Sequence, residues 1–141
     1  ILADFLPNPA AEGRHFVQVT YTAPANIQLS IGATQGEGNL DLVDCIGQYD
    51  MHTSTPETAD SCHYFFGTRR NHLVDDDEYN QLKTETMHHA FETEDGPMLD
   101  AQHEAMGTTD LFSLNPVLMS SDAAPVKVRR LLKQLIDMEQ G

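Results

Sequence analysis

The chain has 141 residues, enough for one compact domain with its own hydrophobic core and too few for two such domains. Eight Lys and Arg residues against 22 Asp and Glu residues give a formal net charge of -14, which excludes nucleic acids and anionic membrane surfaces as partners. No apolar run is long enough to cross a membrane, and two cysteines are too few for a disulfide framework, so we expect a cytoplasmic protein. Because the chain begins at Ile1 rather than a methionine, we also expect a piece of a longer protein.

Residues 1–70 have mainly the pattern of β-strands. Polar and apolar residues alternate over 16–22, 27–31, about 43–54 and 61–68, which is the two-residue period of a strand. The connections between these segments are short, whereas a parallel crossover needs a dozen or more residues. The sequence therefore predicts four antiparallel strands that follow one another in a meander.

The second and third predicted strands each have a polar side. The alternation suggests that one face of the sheet is apolar and contains Ile27, Leu29, Ile31, Tyr49 and Met51. The opposite face then contains Gln28, Ser30, Gln48, Asp50 and His52. Two explanations of this polar face stay open. It faces solvent, as polar positions of antiparallel sheets usually do, or it lines a cavity in which a few polar groups orient a ligand.

Residues 71–141 have mainly the pattern of helices. An acidic opening and helical spacing predict a helical segment from Asp75 to about Ala105, and Gly96-Pro97 within it predicts two helices or one kinked helix. The last helix is the clearest element, with Ser121 or Asp122 as its N-cap. Strands followed by helices predict an α+β fold: an antiparallel sheet with helices packed on one face.

Seven histidines are a second unusual feature of the sequence. His88 and Glu92 are four residues apart and Asp95 follows, a spacing that can place metal ligands along one helical face. With His103, these residues form one hypothesis for an improvised metal site. The alternative is a solvated acidic helix that happens to carry histidines. Composition and spacing do not decide between them.

Longer strings of sequence carry more information. The segment HTSTPETADSCHYFFGTRRN (residues 52–71), the segment FETEDGPMLDAQ (91–102) and the ending SSDAAPVKVRRLLKQLIDMEQG (120–141) resemble the C-terminal part of Rieske non-haem iron oxygenases. The similarity is to oxygenase components of the vanillate O-demethylase and dicamba monooxygenase type. Its most specific pieces are TPETADSCHYFFG and the Glu-Asp step within FETEDGPMLDAQ.

The resemblance implies a fold, two cofactors and a set of site residues. The fold is a helix-grip (START-like) catalytic domain, of which this chain holds a part. The parent protein would hold a mononuclear Fe(II), bound by two histidines and one carboxylate, and a [2Fe-2S] Rieske cluster. The carboxylate ligand of the iron corresponds to Asp95. Substrate-binding positions correspond to His52, Gln28 and Thr86.

Two features of the family are missing from the sequence. It has no Cys-x-His-type pairs for a Rieske cluster and no histidine pair before residue 26 that could complete the iron site. We therefore expect the chain to be the C-terminal part of an oxygenase catalytic domain without a Rieske domain. Alone, it is expected to be inactive and to hold no cofactor.

The resemblance also implies partners for the parent protein. It would be a monooxygenase that demethylates or hydroxylates an aromatic acid, receives electrons from a reductase or ferredoxin, and forms a homo-oligomer, a trimer in this family. The alternative hypothesis is a helix-grip binding module for a small hydrophobic or aromatic acid, without redox activity.

Overall fold

A computed structural model of the chain describes residues 6–8 and 10–141. The structure contains a four-stranded antiparallel sheet in the order β1-β2-β3-β4 and three α-helices. The strands are β1 (Arg14–Thr22), β2 (Asn26–Thr34), β3 (Ile46–Pro56) and β4 (Cys62–Arg70), and the helices are α1 (Asp77–His89), α2 (Gly96–Met106) and α3 (Ala123–Gln140). The α+β fold class and the antiparallel meander predicted from the sequence are confirmed.

The chain divides into two compact units. One unit comprises Ile1–Val74 and Val126–Gly141, so it contains the sheet and most of α3. The other comprises Asp75–Pro125 and contains α1 and α2.

The pairing of β2 with β3 corrects the interpretation of the polar face. Gln28 pairs with Met51, and Ile27 pairs with His52. Directly opposed residues of an antiparallel pair project from the same face, and consecutive residues project from opposite faces. Gln28 and His52 therefore lie on opposite faces of the sheet, and the expectation that they share one polar face is wrong. Alternation within a strand defines its two sides, whereas only the register decides which sides of neighbouring strands coincide.

Each face of the sheet is consequently mixed. The face that contains His52, called here the His52 face, has apolar residues on β1 and β2 and mostly polar or aromatic residues on β3 and β4. Its central residues are Val17, Val19, Tyr21, Ile27, Leu29, Ile31, Gln48, Asp50, His52, Tyr64, Phe66 and Thr68. The Gln28 face has polar residues on β1 and β2, including Thr20, Gln28 and Ser30. Its residues on β3 and β4 include the apolar or aromatic Tyr49, Met51 and Phe65.

The start of β3 differs from the prediction by three residues. The sequence predicts a strand from about Val43, but β3 begins at Ile46. The carboxylate of Asp41 accepts hydrogen bonds from the backbone N–H of Val43 (2.9 Å) and of Asp44 (3.0 Å). These bonds form a local turn that occupies the N–H groups a strand would use in the sheet.

Asn71, the residue after β4, connects the end of this strand to the turn through hydrogen bonds. Its side-chain oxygen accepts a hydrogen bond from the backbone N–H of Gly47 (2.9 Å). Its side-chain nitrogen donates to the carbonyl oxygens of Leu42 (3.1 Å) and Cys45 (2.8 Å). The Cys45 side chain is buried beside this junction, so one polar side chain satisfies three backbone groups at the edge of the small core.

The helical unit continues through the predicted interruption. α1 is capped by Asp76, whose carboxylate accepts from the N–H of Tyr79 (2.8 Å), as the acidic opening predicts. A π-helical turn, Ala90–Asp95, joins α1 to α2, and the N–H of Gly96 bonds to the carbonyl oxygen of Phe91. Pro97 has no N–H and its ring crowds the carbonyl four residues earlier. A widened turn accommodates that ring without ending the helix.

The residue predicted to cap α3 instead caps the short 3₁₀ turn before it. The carboxylate of Asp122, the last residue of this turn (Ser120–Asp122), accepts a hydrogen bond from the backbone N–H of Met119 (2.8 Å), and α3 begins at Ala123. Along the helix, Leu132 and Leu135 are half-buried, whereas Lys133 and Asp137 form an exposed ion pair (2.9 Å). None of the helices in the described part of the chain is long and apolar enough to span a membrane.

Candidate functional site

His52 lies in an aromatic cluster on its face of the sheet. The half-buried His52 pairs directly with Phe66 of β4. Its Nδ1 atom is 2.5 Å from the hydroxyl oxygen of Tyr64, and the two rings stack with their centroids 5.9 Å apart. Tyr64 in turn contacts Phe66 at a centroid distance of 5.8 Å. The imidazole is therefore held by one hydrogen bond and by ring contacts at the same time.

Asp50 provides a buried carboxylate two residues before His52 on the same face. Its residue exposure is only 6 %, which is rare for a charged side chain. The Thr68 hydroxyl donates to Oδ1 at 2.5 Å, and the Gln48 amide donates to Oδ2 at 2.6 Å. Both carboxylate oxygens have partners, as a buried acid requires.

The remaining part of the His52 face is apolar and open. Val17, Val19 and Ile27 are exposed to 54 %, 61 % and 40 %. This face shares its composition, mostly apolar with a few fixed polar groups, with the linings of sites for small organic ligands. Tyr64, Phe66 and Thr68 were not predicted as members of this site, because only the β3–β4 register places them beside His52 and Asp50.

Gln28, the second predicted substrate-binding residue of the sheet, lies elsewhere. It is half-buried on the Gln28 face, opposed by Thr20 on β1 and by Met51 on β3. It therefore does not project into the same space as His52.

Thr86 and Asp95, the two other predicted site residues, belong to the helical unit. Thr86 is exposed on α1 and its hydroxyl donates to the carbonyl oxygen of Leu82 (2.8 Å). Asp95 is the last residue of the π-helical turn and is exposed. π-Helical turns occur frequently at functional sites because the extra residue redirects the side chains that follow.

The described residues do not by themselves fit a complete iron site. Within 6–8 and 10–141, no group of three or more His, Cys, Asp or Glu side chains is arranged to hold a metal ion. His88 contacts Glu92 (Nδ1–Oε1 3.1 Å), but these two do not assemble with Asp95 and His103. The hypothesis of an improvised site from these four residues is therefore wrong. Asp95 fits only as a single carboxylate ligand.

Comparison with known proteins identifies the family to which this chain belongs. The family model described as "Vanillate O-demethylase oxygenase C-terminal domain" matches residues 1–138. The chain belongs to this family. The recognition made from residues 52–71, 91–102 and 120–141 is confirmed.

Two curated relatives of this vanillate O-demethylase-type domain are oxygenase components. The chain is 33% identical over 125 residues to the chloroacetanilide N-alkylformylase oxygenase component of Rhizorhabdus wittichii, covering 89% of this chain and 35% of the relative. It is 34% identical over 88 residues to the dicamba O-demethylase oxygenase component of Stenotrophomonas maltophilia, covering 62% of this chain and 26% of the relative. The chain thus spans between about a quarter and about a third of the length of these relatives.

The Asp50 cluster of the domain leads to a stability prediction. Asp50→Ala removes the acceptor of two half-buried side-chain donors and leaves a small cavity, so the free energy of unfolding is expected to fall by about 2–3 kcal/mol. Asp50→Asn keeps one acceptor oxygen and is expected to cost about half as much. Urea denaturation followed by circular dichroism measures both. Glu37→Ala, at an exposed loop position, is the control, and an equal loss there would contradict the role of the cluster.

Proposed function

We propose that the chain is the C-terminal portion of the catalytic domain in the oxygenase component of an aromatic-acid monooxygenase. In this proposal His52 and Thr86 bind the substrate, and Asp95 is the carboxylate ligand of a mononuclear iron. The observation that carries the proposal is His52 itself, an oriented imidazole at the border between polar and apolar parts of one sheet face.

The chemistry of this border suits an aromatic acid. The exposed apolar side chains, Val17, Val19 and Ile27, offer area for a ring. An imidazole N–H can donate a hydrogen bond to a carboxylate or carbonyl oxygen at the end of that ring. The two relatives are named for different compounds, dicamba and chloroacetanilides, so this domain family accommodates more than one substrate.

The iron and the electron carrier belong to the complete protein in this proposal. A carboxylate such as Asp95 is one of three protein ligands in a site with two histidines, which leaves coordination positions open. The histidines and the [2Fe-2S] Rieske cluster would come from polypeptide outside these 141 residues, in keeping with the longer relatives.

Further partners follow from the same proposal. A reductase or ferredoxin would supply electrons, and the complete component would form a homo-oligomer. A cytoplasmic location is supported by Cys45 and Cys62, which form no disulfide with each other. Gln28 lies on the opposite face of the sheet from His52, so it would contact a substrate only in a pocket on the Gln28 face. We therefore propose no shared role for Gln28 and His52.

Replacing His52 tests the proposal. In the complete oxygenase component, His52→Ala is expected to weaken binding of a methoxybenzoate by about 10- to 100-fold, the usual cost of losing a hydrogen bond to a charged group. Titration calorimetry measures the affinity. His63→Ala is the matched control, because His63 lies on β4 but projects from the Gln28 face and is exposed.

The outcomes separate the two functions considered. A loss of affinity in His52→Ala but not in His63→Ala, together with demethylation or hydroxylation by the wild type, supports the monooxygenase. Binding that depends on His52 in a protein without oxygenase activity supports the redox-inactive binding module instead. Equal affinity of the wild type and His52→Ala overturns the pocket assignment.

A further inference from the structure

Tyr64 and His52 form a fixed pair across two strands. Tyr64 opposes Ser54 and His52 opposes Phe66, so Tyr64 and His52 are diagonal neighbours on one face. The Tyr64 hydroxyl oxygen lies 2.5 Å from His52 Nδ1, and the ring planes differ by only 16°. This geometry combines a short hydrogen bond with a stacked ring contact.

Tyr64 contacts the imidazole in two ways. The nearly parallel Tyr64 ring lies beside the edge of the imidazole, and the hydrogen bond restricts the rotation of the imidazole about its side-chain axis. Phe66, which pairs with His52 and contacts Tyr64 at 5.8 Å, limits the movement of the phenol. Residues of β4 therefore contribute to the orientation of the His52 ring.

The hydrogen bond also selects a tautomer. A neutral imidazole has one nitrogen that donates and one that accepts, and the partner of one nitrogen determines the state of the other. A phenol is the stronger donor of this pair and an imidazole nitrogen the stronger acceptor. If the Tyr64 hydroxyl donates to Nδ1, the ring proton of the neutral imidazole is carried by Nε2.

We propose that Tyr64 is a positioning residue that sets both the orientation and the tautomer of His52, so that Nε2–H is presented to an oxygen atom of the aromatic substrate. This inference rests on the proposed role of His52 in substrate binding. Tyr64 acts through His52 and need not touch the substrate. A donor fixed in advance costs less conformational entropy when the substrate binds.

The test removes only the hydroxyl. Tyr64→Phe keeps the stacked ring and deletes the hydrogen bond, and it is compared with wild type in the complete oxygenase component. Its affinity for a methoxybenzoate is expected to fall about tenfold, while its affinity for anisole, which lacks the carboxylate, stays unchanged. Tyr49→Phe, a hydroxyl deletion on the Gln28 face of the same sheet, is the matched control and is expected to leave both affinities unchanged.

A spectroscopic readout distinguishes positioning from a structural role. In protein labelled with ¹⁵N-histidine, the ring nitrogens of His52 are expected to report a proton on Nε2 in wild type and a mixture of tautomers in Tyr64→Phe. His52→Ala identifies the His52 signals and repeats the test of the proposed function.

Each result has one meaning. Loss of methoxybenzoate affinity with the tautomer change supports the inference. If His52→Ala weakens binding but Tyr64→Phe matches wild type, the inference is overturned and the proposed function stands. If Tyr64→Phe weakens methoxybenzoate and anisole equally, Tyr64 has a structural role and the inference is overturned. If His52→Ala itself has no effect, the proposed function fails.

Discussion

Asp95→Ala is expected to reduce the mononuclear iron of the complete oxygenase component to less than about a tenth of the wild-type content, because loss of a ligand lowers affinity strongly. The carboxylate is the only charged group among the proposed ligands. In the Asp95→Ala variant, two neutral imidazoles would have to hold the iron cation alone. Oxygenase activity is expected to fall in parallel, whereas the iron of the Rieske cluster stays bound. Iron content by elemental analysis, together with the visible spectrum of the cluster, measures the two separately.

Asp100→Ala is the matched control for this prediction. Asp100 is an exposed aspartate on α2, the helix that follows the π-helical turn, and the proposal gives it no role. Iron content at the wild-type level in Asp95→Ala would show that this carboxylate is not a ligand. An equal loss in both variants would point to a general effect of acidic charge on the helical unit.

Gly47→Ala is expected to lower the free energy of unfolding by about 3 kcal/mol, at the upper end of the usual cost of overpacking. A Cβ atom at this position would lie 2.1 Å from the carbonyl oxygen of Ile31 and 2.8 Å from Cα of Gly32. Both are backbone atoms of the neighbouring strand, so relief requires β2 and β3 to separate where Gly32 and Gly47 pair. The Asn71 hydrogen bond to Gly47 would be disturbed as well.

Gly67→Ala is the control for the same sheet. Gly67 pairs with Met51 of β3, and a Cβ atom there would meet nothing within 4 Å. Its substitution is expected to be neutral, or to stabilise by up to about 1 kcal/mol by restricting the unfolded chain. The midpoint of urea denaturation, with an unchanged slope, measures both variants. Similar midpoints for the two would contradict the close approach of β2 and β3 at Gly47.

The local features of the fold were readable from the sequence. Alternation over 16–22 and 27–31 predicted β1 and β2, and the acidic residues before α1 predicted its cap. These signals are local, because strand alternation and helix capping involve residues that are close in the chain. The interruption at Gly96-Pro97 was also recognised, but its form as a continuous π-helical turn was not, since the backbone can respond to a proline by ending, kinking or widening a helix.

Part of the candidate site can also be predicted from the sequence, but from its resemblance to the oxygenase family rather than from the periodicity of polar and apolar residues. His52 and Asp95 were selected from motifs that cover residues 52–71 and 91–102. The pairing of His52 with Tyr64 was not selected, although both lie within the first motif. The motif alone does not indicate that two residues twelve positions apart contact each other across a hairpin, with their side chains on the same face of the sheet.

The acidic character of this protein, its order of strands and helices and its membership of the oxygenase family follow from the amino-acid sequence alone, because charge, periodicity and motifs are properties of the chain. Which side chains share a face of the sheet could be read only from the folded structure. The pairing of Ile27 with His52 places Gln28 on the opposite face, and the pairing of β3 with β4 brings Tyr64, Phe66 and Thr68 beside His52 and Asp50. Strand register is set by contacts between distant segments, and a shift of one residue reverses every face.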